Sequence, residues 1–120
     1  MTGLKIFLRS VSYALNGIKT AFLEQQNLKI EFFLAVVAIL LGLVLKIGIL
    51  DFAIVLILIA GVLVLELLNT AFEKILDALS PRIHIYVKTA KDVFAGAVFI
   101  ASVASFIIGI LIFLPYLLKL

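Results

Sequence analysis

The stretch Glu66 to Asp77, E-L-L-N-T-A-F-E-K-I-L-D, decides how this chain is read, because it sets three carboxylates and an amide into an otherwise hydrophobic helix. At about 100° per residue, Glu66, Asn69, Glu73 and Asp77 fall at roughly 0°, 300°, 340° and 20°, which is one narrow stripe. The stretch follows the apolar run Phe52–Leu65, so the stripe begins where a membrane span ends and water begins. Ionisable groups at that depth are costly, and each becomes a candidate functional residue whose partner must be sought elsewhere in the chain.

The surrounding composition supports a bilayer setting. Of 120 residues, 66% are hydrophobic and 14% charged, whereas soluble domains are about half apolar and about a quarter charged. The length accommodates about three spans and no separate soluble domain. With no cysteine there are no disulfides or thiolate metal sites, and the single histidine, His84, removes His-cluster motifs. Any metal must therefore be held by oxygen. The stretch before Phe32 carries Lys5, Arg9, Lys19 and Lys29 but no cleavable apolar core, so it is expected to be retained rather than removed as a secretory signal.

Working outward, Leu4, Phe7, Leu8, Val11, Leu15, Ile18 and Phe22 recur at helical spacing, with Lys5, Arg9, Ser12, Asn16 and Lys19 on the other side. This pattern predicts an amphipathic surface helix over 1–28, its cations toward anionic headgroups. The polar cluster from Glu24 to Glu31 marks the interface. Phe32–Leu45 is uninterruptedly apolar, about 21 Å at helical rise, and snorkelling of Lys29 and Lys46 extends it toward a full span. Membrane helices are predicted over 31–47, 52–78 and 90–118. A short turn around Lys46, Gly48 and Asp51 joins the first pair, and Ser80-Pro81 ends the second helix. Ala97, Ala101 and Ser105 place small residues four apart, a weak signal for close helix approach. The fold class is thus an all-α membrane protein, a single domain over 1–120 made of a surface helix and three transmembrane helices.

Cation placement sets the orientation. Lys5, Arg9, Lys19, Lys29, Lys74, Arg82, Lys88 and Lys91 lie on one side, against Lys46 and Lys119 on the other, so the N-terminus and the second loop are expected to be cytoplasmic. Glu24, Glu31, Glu66, Glu73, Asp77 and Asp92 share that side. Both signs of charge converge where nucleotides are available.

Three chemistries suit acids beside a basic loop at an interface: structural ion pairing, ion or proton translocation, and phosphoryl transfer. A small ion- or proton-coupled transporter would use Glu66, but the first and third spans offer it no charged partner and the stripe sits at one edge of the membrane rather than the midplane. Phosphoryl transfer needs oxygen ligands for Mg²⁺, cations for the phosphates and a base for the attacking hydroxyl. All are present on one side. The soluble-kinase devices are not, since G-x-x-x-x-G-K-[ST] and G-x-G are both missing and Gly17-Ile18-Lys19-Thr20 lacks the Gly-Lys pair. Depth also assigns roles: Glu66 is the deepest acid, level with a lipid headgroup hydroxyl, while Glu73, about 10 Å further along the axis, is level with a water-soluble nucleotide.

The string Glu66–Asp77, followed by His84 and by Lys88-Thr-Ala-Lys-Asp92 leading into Ala95-Gly-Ala-Val98, closely resembles the bacterial diacylglycerol kinase and undecaprenol kinase family of small membrane lipid kinases. Tyr13-Ala-Leu-Asn-Gly17 and Asn27-Leu-Lys-Ile-Glu31 extend the resemblance over nearly the whole chain. It implies a homotrimer with active sites shared between neighbouring chains, ATP as co-substrate with Mg²⁺, a membrane lipid alcohol as acceptor, residence in the bacterial cytoplasmic membrane, and no nucleic acid partner. It further implies that Glu66 is the base toward the lipid hydroxyl with Asn69 beside it, and that Glu73 binds Mg²⁺-ATP. Lys91 and Asp92 would contact the phosphates and their metal, Tyr13 would lie by the nucleotide, and Arg82 and His84 would fall in the loop that touches it. Glu31 would join Glu66 on the lipid side.

The chain departs from the family at one point. Anchored on Asn27-x-Lys29-x-Glu31, Gln25 stands where the family usually carries a second metal-binding carboxylate, with Glu24 one residue earlier. Either Glu24 substitutes by a local helix adjustment, or the weaker amide of Gln25 keeps the place and the metal is held more by the ATP phosphates. Asp77 is expected to cap the helix or to pair with Arg82 or Lys88. The Ser80-Pro81 turn and Ala95–Val98 look closer to the undecaprenol-type members.

Overall fold

The structure is a computed structural model that describes residues 2–79 and 84–120, with the side chain of His84 outside that set. Among the described residues it is all-helical, with α1 at Gly3–Glu24, α2 at Gln26–Val44, α3 at Ile49–Leu79 and α4 at His84–Leu118. Helices α2, α3 and α4 are long and apolar enough to cross a membrane. Backbone groups in hydrocarbon find no water, so each span must satisfy its own hydrogen bonds, which helices do.

Thr2 caps α1 by accepting from the Lys5 amide at 3.3 Å. The chain leaves α1 at Gln25, whose φ of −109° and ψ of 116° are extended, and re-enters helix one residue later. The expected surface helix over 1–28 is therefore shorter, and α2 begins before residue 31. Packing is the physical reason, because Leu28 is fully buried and the Phe22 and Phe32 rings meet edge to face at 5.4 Å. A straight helix through 28 would leave Leu28 unpacked.

The end of α2 falls before the expected 47. Lys46 adopts φ 52°, its amide bonds Leu43 O at 3.3 Å, and the Ile47 amide bonds Gly42 O at 3.2 Å. These two bonds form a Schellman cap, in which a left-handed residue stops the helix and the residue after it folds back over the last turn. Gly42 accommodates that contact: a Cβ there would stand 3.0 Å from the Phe52 ring and 3.2 Å from Ile47. The left-handed position is held by lysine although glycine adopts it more readily.

α3 is the central helix, packing along both α2 and α4, while α1 lies against α2 and α3. Its buried positions Val55, Val62, Glu66 and Thr70 form one continuous line, apolar at first and polar after Glu66. It starts at Ile49 rather than 52, and its 31 residues span about 46 Å, more than the roughly 30 Å of hydrocarbon. α4 likewise starts at His84 rather than 90, since polar residues near headgroups keep helical structure beyond the apolar run. Outside the shared seam, Phe33, Ile57 and Ile100 are exposed, a surface that suits lipid.

At the end of the bundle away from the acids, the Tyr116 hydroxyl donates to Asp51 Oδ2 at 2.6 Å and accepts from the Gly48 amide at 3.0 Å. This ties the last turns of α4 to the α2–α3 turn. Tyr116→Phe removes both bonds and is expected to lower stability by about 1 kcal/mol, seen as a lower thermal midpoint in detergent micelles. An unchanged midpoint would show that the tie contributes nothing.

Candidate active site

The stripe on α3 is one face of a regular helix, so its side chains stack along the axis. Glu66 is the most enclosed, 6% exposed, Asn69 and Glu73 are half-buried, and Asp77 is exposed. Thr70, 5% exposed, donates its hydroxyl to the Glu66 carbonyl at 3.0 Å. That hydroxyl satisfies itself within the helix and leaves the Glu66 carboxylate unconsumed.

Asn69 does not turn toward Glu66. Its Nδ2 donates to Glu73 Oε1 at a long 3.4 Å, and its buried Oδ1 has no partner among the described residues. Buried amide oxygens are seldom left so, which marks Oδ1 as an acceptor open to a further donor. Glu66 also lies within electrostatic reach of Glu31 on α2 and Glu73 on its own helix. Carboxylates from α2 and α3 thus lie toward the same end of the bundle without forming a cluster of three among the described residues.

Beside them a groove of about 760 Å³ runs between α2 and α4 with α3 as its floor. Glu31 stands among its lining residues, which are otherwise almost wholly apolar and include Ala35, Val55, Val62, Phe99 and Phe113. A carboxylate in an apolar slot of this size suits an amphiphile with a polar head and a long tail.

Lys91 and Lys88 are each held by an acid. Lys91 Nζ contacts Asp77 Oδ1 at 2.5 Å, joining α4 to α3, and Lys88 Nζ contacts Asp92 Oδ2 at 2.8 Å one turn along α4. Asp77 therefore pairs with Lys91, not with Lys88 as one alternative had it, because the rotation of α4 brings position 91 onto the stripe. Arg82, the other alternative and an expected nucleotide contact, lies outside the described residues, as does the His84 side chain. Tyr13 stands 68% exposed on α1. Phe72 and Phe94 stack at 5.0 Å and hold α3 and α4 together where Lys91 and Asp92 emerge.

The junction between α1 and α2 brings Glu24 and Gln25 to the same end. Glu24 Oε2 meets Lys74 Nζ at 2.6 Å, and Gln25 is half-buried with no capping hydrogen bond from its side chain. Sequence reading passed over Lys74, which lies off the acidic stripe, and Thr70, whose role is internal to the helix. Only the three-dimensional approach of α1 to α3 reveals the first.

The donor set can be tested against a divalent cation. Among the described residues no three His, Cys, Asp or Glu side chains form a cluster. Mg²⁺ is usually bound through one or two carboxylates together with substrate phosphates and waters. Glu73, whose carboxylate among the described residues accepts only the long bond from Asn69, fits that requirement.

The class follows from comparison with known proteins: residues 12–113 match the prokaryotic diacylglycerol kinase family, and the protein is a membrane lipid kinase. An undecaprenol kinase of Bacillus subtilis is 38% identical over 111 residues, covering 92% of this chain and 90% of that one. A diacylglycerol kinase of Synechocystis sp. is 38% identical over 114 residues, 94% of this chain and 65% of the relative. One of Haemophilus influenzae is 37% identical over 102 residues, 83% of this chain and 85% of the relative. The chain belongs to the prokaryotic diacylglycerol kinase family. The transporter alternative finds no support among these relatives, each of which is named a kinase.

Proposed function

We propose that this chain transfers the γ-phosphate of Mg²⁺-ATP to the hydroxyl of a membrane lipid, diacylglycerol or undecaprenol, at the cytoplasmic face of a bacterial inner membrane. The observation that carries this reading is the gradient along one face of α3, from a 6% exposed Glu66 through half-buried Asn69 and Glu73 to an exposed Asp77. A lipid alcohol and a water-soluble nucleotide meet only where such a gradient crosses the interface. The placement of most Lys and Arg at this end supports the cytoplasmic orientation.

In the reaction, the lipid oxygen attacks the γ-phosphorus as the bond to the ADP oxygen breaks, and the hydroxyl proton passes to the Glu66 carboxylate. Asn69, one turn along the same face, borders the space between that base and Glu73, to which its Nδ2 donates. Glu31 lies on the lipid side, at the polar end of the apolar groove. Glu73 holds the metal, with Gln25 or Glu24 as the contribution of the α1–α2 junction. Mg²⁺ held there would supply charge neutralisation to the phosphates. Lys91 would reach the phosphates by exchanging Asp77 for the nucleotide, Asp92 would reach their metal by leaving Lys88, and Tyr13, Arg82 and His84 lie along the nucleotide's outer side.

α1, basic on one face and apolar on the other, lies in the interface and covers the nucleotide side. Chain 1–120 acts as one domain, and three copies assemble with sites shared between neighbours. The open groove and the orphaned Asn69 Oδ1 are the features of the single chain that a neighbouring copy or the substrate would complete.

The test is phosphorylation of each lipid separately in mixed micelles with radiolabelled ATP and Mg²⁺. Label in undecaprenol, diacylglycerol or both is the expected result and names the acceptor. Label in neither, from folded protein, would overturn the reading.

A further inference from the structure

We propose that Lys74 is a positioning residue of the nucleotide site, holding the α1–α2 junction against the Glu73 turn of α3 through its ion pair with Glu24. This inference rests on the kinase reading above. Its first support is electrostatic. Glu24 is the last residue of α1, at the negative end of the helix dipole, and the last turn of α1 contains no basic residue. A carboxylate in that place is unfavourable unless a cation comes from another element. Lys74 Nζ, reaching from α3 to 2.6 Å, is that cation.

The second support is the geometry of the junction. Gln25 alone is non-helical between α1 and α2, and the residues on either side are tightly packed, Ala21 at 4% and Leu28 at 0% exposure. Packing fixes where the two helices meet, and the ion pair fixes how the end of α1 is turned about that point. Because Lys74 directly follows Glu73, the tether and the metal-side carboxylate share one turn of α3. Any shift of the α1 end is passed to Gln25 and Glu73 together.

The pair also separates the two readings of the α1–α2 junction. Glu24 is the tether, held at 2.6 Å by Lys74 with nucleotide bound as without it, and is not the divalent-cation ligand. Gln25, whose side chain makes no capping bond, supplies the junction's oxygen instead. Glu24 acts on the nucleotide only by placing its neighbour.

The test combines binding of a fluorescent ATP analogue, titrated with Mg²⁺, and steady-state kinetics on the full chain in micelles. Glu24→Lys and Lys74→Glu singly are expected to weaken analogue binding and raise KM for Mg²⁺-ATP by about fivefold, the scale of one exposed ion pair. The combined swap Glu24→Lys/Lys74→Glu is expected to recover most of that loss, with kcat unchanged throughout. Glu24→Gln is expected to raise the Mg²⁺ concentration for half-maximal binding no further than Lys74→Gln does, because both act only through the lost pair. An unrescued combined swap, unaffected single variants, or a Mg²⁺ requirement raised further by Glu24→Gln than by Lys74→Gln would each overturn the proposal. If a charge reversal fails to fold, Glu24→Gln and Lys74→Gln alone and together give the same comparison, since a working pair makes their effects non-additive. A folded parent chain that binds no analogue would overturn the kinase reading itself, a result distinct from failure of the pair.

Discussion

Glu66→Gln is expected to lower lipid phosphorylation by about 10²–10⁴-fold, the usual contribution of a positioned proton acceptor, while analogue binding stays close to that of the parent. The amide has nearly the same volume and fits the same 6% exposed position between α2 and α3, but it cannot take a proton from the lipid hydroxyl. Stability separates this role from a structural one. A buried carboxylate without a cationic partner is a burden on the fold, so neutralising it should leave the thermal midpoint unchanged or raise it. Loss of turnover with an equal or higher midpoint is the expected pair of results. Retained turnover would remove Glu66 from the chemistry.

Glu73→Gln is expected to act on the other substrate. The glutamine oxygen still accepts from Asn69 Nδ2, so the 3.4 Å contact survives and the local helix face is kept. The lost charge weakens the hold on Mg²⁺-ATP, and KM for the nucleotide should rise at least about tenfold, the scale on which altered ligand environments change metal affinity. Excess Mg²⁺ should recover part of the rate, because the defect is in binding rather than proton transfer. A fall in kcat with KM unchanged would place Glu73 in the proton-transfer step instead. The two variants therefore divide the stripe into a lipid end and a nucleotide end, about two helical turns apart.

The long apolar runs made the three span-length helices legible, because a backbone in hydrocarbon has little choice but to hydrogen-bond within its own segment. The stripe was legible for a related reason: helical geometry fixes the relative azimuth of residues 66, 69, 73 and 77 whatever surrounds them. Helix ends were not. The stop at Lys46 depends on a left-handed residue that is not glycine, and the break at Gln25 depends on where Leu28 and the Phe22–Phe32 pair find their packing. Neither carries a local signal.

Pairings between helices were beyond the sequence for the same reason. Asp77 had several cations within reach along the chain, and Lys91 became its partner only through the rotation of α4 against α3. Lys74 lies off the acidic stripe and gains its meaning from Glu24, fifty residues earlier on α1. Composition and periodicity determined that this chain spans a membrane and carries acids on one face of its middle span, since both follow from solvent and from the helical repeat. The tertiary structure decided which charge meets which, because that depends on how rigid helices turn about one another when their apolar faces pack.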